Sequence, residues 1–330
     1  MGQEVYLDTQ RINMNNFRNL IQLFDYFKDE ETCRTHLEKH RWGDNVACPH
    51  CGSLKVYRTN RGFKCGEKLC LKKFSATVGT IFENSKVPLR TWYAAMYLIA
   101  SHKKGISSLQ LHRDLGVTQK TAWFLLHRIR ESLRQKTPVL LEDVVEVDET
   151  FIGGKNKNRH AHKKVPESQG RSTKDKTPVV GIKQRGGMIT TIVGKDTKAS
   201  TLQPFIKSVV KPGSIVITDE WGGYNGLNKE YSHVVIKHNE GEYVRGAFHT
   251  NEVEGVWSLF KRGYIGTYHY MSPKHMPRYF DEFNYRFNSR DIPDADRFEI
   301  TLGRVAGRLK YKDLIANNNE TKESNEAAGD

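Results

Sequence analysis

Apolar side chains recur at spacings of three and four along several stretches of this chain, the period of a helix with one buried face. Phe17, Leu20, Ile21, Leu23, Phe24 and Phe27 mark the first, over residues 16–27. Residues 29–40 start acidic and end basic, as helix polarity favours. Residues 91–102, 109–115 and 119–133 give three more helices, and 279–288 a late one. In between, the pattern changes. Residues 143–149 alternate as a strand does, with Asp148 at the end. Residues 178–182 and 188–193 flank Gln184-Arg185-Gly186-Gly187, a β-hairpin. A helix over 200–210 is stopped by Pro212-Gly213. Residues 214–219 read as a buried strand ending in Asp219, and 232–236 as another. A helix then opens at Thr250 or Asn251, with Val253, Val256, Trp257 and Phe260 on one side. Three strands followed by alternating helix and strand predict an RNase H-like mixed-sheet core, in an α/β multidomain chain.

Charge narrows the partners. A net charge of +14 over 330 residues points to a polyanion, most often nucleic acid. No apolar run approaches the ~18–20 residues of a membrane span, and the longest, 92–100, holds two tyrosines. The N-terminus lacks a signal-peptide layout, so the expected location is cytoplasmic and nucleoid-associated, with no membrane partner.

Of five cysteines, Cys33 stands apart and reads as a small buried residue. Cys48 and Cys51 form a CxxC pair, Cys65 and Cys70 a CxxxxC pair, with 13 residues between the pairs. Two cysteine pairs on tight turns, joined by a hairpin over 57–63, can hold four thiolates around one Zn²⁺. His50 is a rival ligand, and a redox CxxC is the competing reading. A four-thiolate site has no open position and would be structural.

Ser107-Ser108, the Gly116 turn and Thr118 lay out a helix-turn-helix. Its second helix is expected to turn Gln119, Lys120, His127 and Arg128 outward, although any solvated helical hairpin would look alike. Residues 153–177 carry eight Lys and Arg against Glu167 and Asp175, a basic insertion able to touch phosphates or simply solvated.

Asp148 and Asp219 fall at expected strand ends and Glu254 on the following helix. If the strands are neighbours, three carboxylates converge on one sheet edge. Hard oxygen ligands suit Mg²⁺ or Mn²⁺, and two such ions can drive a phosphodiester displacement. Glu254 and Lys261, seven residues apart, share a helix face, while Glu252 is turned away. The competing reading is two strand-capping aspartates and a surface glutamate.

Several motifs bear on a family: Cys48-Pro49-His50-Cys51 with Cys65 and Cys70; Val147-Asp148-Glu149-Thr150-Phe151-Ile152-Gly153-Gly154; Thr218-Asp219-Glu220-Trp221-Gly222-Gly223-Tyr224; His249-Thr250-Asn251-Glu252-Val253-Glu254 through Trp257, Lys261 and Arg262; and Tyr279, Glu282, Phe283, Arg286 and Asn288. On these, residues 15–290 resemble bacterial insertion-sequence DDE transposases of the zinc-ribbon group, relatives of the Merlin elements. The resemblance implies a catalytic triad of Asp148, Asp219 and Glu254 in an RNase H-like domain. It implies contact of Lys261, with Arg262 beside it, to transposon-end DNA, then strand cleavage, strand transfer to target DNA and a multimeric complex on paired ends. The organisation it suggests is a helical segment 1–45, a zinc ribbon 46–80, a helix-turn-helix region 86–136, a catalytic domain 142–290 with its insertion 153–177, and a tail 291–330. The alternatives are a non-catalytic, domesticated DNA-binding regulator that uses only ribbon and helix-turn-helix, and an RNase H-fold nuclease without strand transfer.

Overall fold

The structure, a computed structural model, describes residues 17–316 apart from 138, 155, 157, 158, 167 and 169–171. The expected polar end beyond Glu320, and part of the basic insertion, lie outside the described residues. Two compact units divide the chain, one holding the described residues up to Leu133 and from Asp291 on, the other Arg134–Arg290.

The first unit opens with two capped helices. Asn19 accepts the Gln22 N–H to start α1 (Leu20–Tyr26), and Asp29 accepts the Thr32 N–H to start α2 (Glu30–Trp42). Then β1 (Val56–Thr59), β2 (Gly62–Cys65) and β3 (Lys73–Phe74) form an antiparallel ribbon. Its small core stacks Phe63 on Phe74, with Trp42 edge-on to both. The apolar run at 92–100 becomes α3 (Leu89–Ser101), buried almost all round. A helical hairpin follows, α4 (Ser108–Leu115) and α5 (Gln119–Leu133). Ser107 caps α4, and Gly116 ends it at φ 65, a left-handed turn that glycine adopts without strain.

The second unit is built on a five-stranded mixed sheet. Its elements in chain order are β4 (Val144–Ile152), β5 (Thr177–Gln184), β6 (Ile189–Val193), α6 (Ala199–Val209), β7 (Ile215–Asp219), β8 (Ser232–Ile236), α7 (Asn251–Gly263) and α8 (Met276–Asn288). The strand order is β6-β5-β4-β7-β8. The β6-β5-β4 side is antiparallel and the β4-β7-β8 side parallel, as a hairpin followed by helical crossovers demands.

Alternation along β4 splits the core. Val145 and Val147 face α6, in a cluster with Val180, Ile182, Leu202, Ile206 and Val216. Residues 146, 148, 150 and 152 face the other way, where Ile152 and Val179 meet Val253, Trp257, Phe260 and Phe280 of α7 and α8. Asp148 is opposite Gly181 on β5. A Cβ at Gly181 would come within 2.5 Å of the Trp257 ring, so glycine there lets α7 lie directly on the sheet.

Asp148 is not at a strand end, because pairing with β5 carries β4 on to Ile152, opposite Thr177. It is the neighbouring strand, β7, that stops, at Asp219.

Residues 291–316, read from sequence as tail, are not a tail. They form α9 (Asp294–Gly303) and α10 (Tyr311–Ile315), which return to the first unit. Phe298 sets its ring against Phe17, Phe27 and Tyr93, and Tyr311 sets its ring against Phe124. Ala295, Phe298 and Leu302, at spacings of three and four, are the buried apolar residues of α9, so a helical period was present in this stretch.

Candidate active site and metal centre

Among the described residues, two groups of side chains come together as a metal site requires: Cys48, Cys51, Cys65 and Cys70, and Asp148, Glu149 and Asp219.

The cysteine group is made by two tight turns. The Gly52 N–H donates to the Cys48 carbonyl at 2.8 Å, and the Cys70 and Leu71 N–H groups both donate to the Glu67 carbonyl at 3.0 Å. The Sγ atoms of Cys48 and Cys70 lie 3.8 Å apart, those of Cys51 and Cys65 3.5 Å. A tetrahedron with Zn–S bonds of ~2.3 Å has edges of about 3.8 Å, so the thiols fit Zn²⁺. Burial opposes ionisation of Cys48, but the His50 and Cys51 amides and the Cys51 and Cys70 thiols outweigh it and bring its pKa down to about 7. At Cys51 the Ser53 amide pulls down, yet burial and the three neighbouring thiols prevail and push it up to about 12. Four such thiols ionise together only around a cation. His50, the rival ligand, is exposed and outside the group.

The carboxylate group comes from register. On parallel β4 and β7, Glu146 is the partner of Ile217, so two residues further on Asp148 stands beside Asp219. The Trp221 N–H donates to Asp219 Oδ1 at 3.0 Å, fixing that carboxylate at the end of β7. Beneath them the buried Tyr224 phenol is held well above its ordinary pKa, first by burial and then by the charges of Glu149, Asp148 and Asp219. The edge is strongly negative, which is what a cation site needs.

Where the sequence leads one to expect Glu254, the group the structure brings together has Glu149. Strand alternation sends Asp148 and Glu149 to opposite faces, so the pattern gave no reason to pair them. The adjacency of the two carboxyls opposite the last residue of β7 was the available signal. Glu254 lies in the first turn of α7, its side chain 51% exposed. Its Oε1 accepts from the Thr250 hydroxyl at 2.8 Å and is 4.0 Å from His238 Nε2. His238 and Asn239, just past β8, donate their N–H groups to Glu220, the residue after Asp219. Glu254 is thus tied towards the ends of β7 and β8. Glu252 is turned to β5, where Lys183 Nζ meets its Oε2 at 2.8 Å.

The residues expected to meet DNA divide into exposed and buried. Lys261 and Arg262 are exposed on the last turns of α7. Gln119 and Lys120 are exposed at the start of α5, with the Lys120 ammonium over the Tyr311 ring. Arg128 is not available to DNA. It is 3% exposed and donates to the carbonyls of Leu309, Ile81 and Glu83, which closes its guanidinium inside the first unit. His127, also expected outside, is fully buried against Trp123. The outward face inferred for the far half of α5 is in fact covered by chain from positions 81–83 and 309.

Residues 140–288 match the model of the ISXO2-like transposase domain, and residues 28–73 that of the transposase zinc-ribbon domain. The chain is 29% identical over 250 residues to an uncharacterized protein in transposable element ISH50 of Halobacterium salinarum, covering 72% of this chain and 83% of that one. It is 30% identical over 122 residues to an uncharacterized transposase-like protein of Haemophilus influenzae, covering 37% of this chain and 96% of the relative. Among solved structures, the simian T-cell lymphotropic virus intasome in complex with PP2A regulatory subunit B56 gamma gives a TM-score of 0.27 at 12% identity, covering 56% of this chain and 67% of that one. The Mos1 strand transfer complex gives 0.23 at 14%, covering 69% and 82%.

Proposed function

This chain belongs to the ISXO2-like transposases that carry a zinc ribbon, and we propose that it is an active DNA transposase whose Arg134–Arg290 unit is RNase H-like. The observation that carries the reading is the seating of Asp148 beside Asp219 on parallel strands, within the matched transposase domain. Asp148, Asp219 and Glu254 are the residues that would hold two divalent cations, Mg²⁺ or Mn²⁺, with Glu149 as rival for the third place. Such ions, when bound, activate the attacking oxygen and offset charge on the phosphodiester.

The chain's own groups do the rest. The Trp221 amide orients Asp219, and the Thr250 hydroxyl steadies Glu254. Lys261 and Arg262, on the helix that carries Glu254, grip phosphates of the transposon end at a fixed distance from the carboxylates. Gln119 and Lys120 present a second DNA contact from a helix-turn-helix. The ribbon takes one structural Zn²⁺. Water hydrolyses the phosphodiester at the element's end, and the 3′-hydroxyl so released attacks a target phosphodiester at the same carboxylates, the new P–O bond forming as the target strand's own 3′-oxygen leaves. Copies of the chain act together on paired ends, in the cytoplasm at the nucleoid.

The test uses the purified protein, Mg²⁺, a labelled duplex carrying the inverted repeats that flank the gene, and a supercoiled target. Cleavage and joining are expected. Asp148→Asn, Asp219→Asn and Glu254→Gln should each lower both by at least about 10²–10³-fold, the size of losing one preorganised electrostatic group. Equal activity in Asp219→Asn refutes the site. Cleavage without joining identifies a nuclease, and DNA binding with neither identifies a regulator.

A further inference from the structure

Helix α7 is started by a residue from another part of the chain. Its N-cap, Thr250, makes no side-chain capping bond. Instead Glu146, on β4 and fully buried, accepts the N–H groups of Glu252 at 2.9 Å and Val253 at 3.0 Å. These are two of the amides that a helix N-terminus leaves unpaired. Arg185 closes the arrangement. It donates to Glu146 Oε1 at 2.9 Å and to the carbonyls of Ala247 and His249, on the approach to α7. His249 Nδ1 is 3.4 Å from the same Glu146 oxygen. Alongside, Lys183 is 2% exposed and joins Glu252 to the carbonyls of Gln184 and Gly187, and the Gly186 N–H donates to Glu252 at 3.1 Å.

Mere attachment of α7 does not require these charges. The helix already lays Val253, Val256, Trp257 and Phe260 on the sheet. A buried ion pair adds little net stability, because desolvation offsets most of the attraction, and apolar replacements of similar volume are often as stable. What it adds is discrimination among settings of the helix. Apolar packing tolerates a small rotation or slide. Two amides on one carboxylate, with Glu252 on Lys183, fit a single setting. The choice matters because α7 carries two carboxylates two residues apart, about 200° around its axis.

We propose that Glu146, with Arg185 and Lys183, is a positioning group that keys α7 so that Glu254, and not Glu252, is presented at the Asp148–Asp219 edge. The inference rests on the transposase reading for its consequence, though not for its geometry. Glu146 and Asp148 lie on the same face of β4, two residues apart. One rigid strand therefore carries both a metal-ligand candidate and the group that places another.

The deciding variant is Glu146→Leu with Arg185→Met, which removes both charges and leaves neither orphaned. Glu146→Gln, which keeps an acceptor oxygen, is the conservative partner. Three quantities are read: melting temperature, Mn²⁺ binding to the DNA-free protein by electron paramagnetic resonance, and the Mg²⁺ concentration for half-maximal cleavage. With melting within a few degrees of wild type, the double variant should bind Mn²⁺ at least tenfold more weakly and need at least tenfold more Mg²⁺. Glu146→Gln should recover part of both. Wild-type metal dependence in a stably folded double variant overturns the proposal. If wild type itself does not cleave, the functional reading fails, and Mn²⁺ binding alone decides the key: weakened binding supports it, unchanged binding overturns it.

Discussion

The cysteine cradle and the carboxylate edge each bring ligand atoms close enough together for a metal ion, yet the chain assembles them in opposite ways. The cradle takes four thiols from one stretch, Cys48 to Cys70, through two turns and a hairpin whose own hydrogen bonds set the distances. The edge takes Asp148 and Asp219, with 70 residues of chain between them, and they meet because β7 pairs in parallel with β4. The first site has a single local solution. The second depends on register, on where β7 stops and on how α7 is seated, and each of these can admit or exclude a carboxylate. That is why the cradle closes on the four expected residues while the edge brings in Glu149.

Breaking the cradle should have the largest effect and leave the edge intact. Cys48→Ser with Cys51→Ser should take bound zinc from one per chain to none, forfeiting a binding free energy on the order of 10 kcal/mol. Metal analysis reads the loss, and full zinc retention would sink the site. Mn²⁺ binding at the carboxylates should be unchanged. Next in size is Arg128→Ala, which leaves three carbonyl acceptors without their donor. About 3 kcal/mol of stability should go, measured by denaturant unfolding. The salt dependence of DNA binding should not move, whereas a phosphate contact would change it. Gly181→Ala sharpens the other side of the comparison. Its new Cβ meets the Trp257 ring, so α7 must lift from the sheet at the Asp148 row. A cost of about 1–3 kcal/mol is expected, with weaker Mn²⁺ binding and unaltered zinc content. An unshifted melting temperature would show that α7 is not seated there. The smallest effect belongs to Lys261→Ala. Affinity for end DNA should fall a few-fold and the slope of log K against log salt by about one, the signature of one lost phosphate contact.

How far the sequence could be read follows the same division. The cap at Ser107, the glycine turn at Gly116 and the bounds of α5 depend on neighbours within a few residues and could be read directly, whereas the caps at Asn19 and Asp29 fell inside the ranges expected to be helix. So could the two aspartates, since strand patterns on either side pointed to them. Arg128 could not. Helical period shows which residues share a face but says nothing of what lies against that face, and here the cover includes Leu309, 181 residues further on. The helices at 294–303 and 311–315 were partly legible, since Ala295, Phe298 and Leu302 keep helical spacing, but only the ring cluster that Phe298 completes shows where they dock.

By itself, then, the sequence determined the ribbon with its four thiols, the helical and strand faces, and the aspartates Asp148 and Asp219. Tertiary structure alone decided that β4 runs past Asp148, that Glu149 joins the carboxylates, that Arg128 turns inward, and that Glu146 holds the start of α7. Each of the first set is settled by geometry within a turn, a hairpin or one helical period. Each of the second is settled by which distant strand or segment comes to lie alongside, and a buried charge takes its role from the partner it meets there.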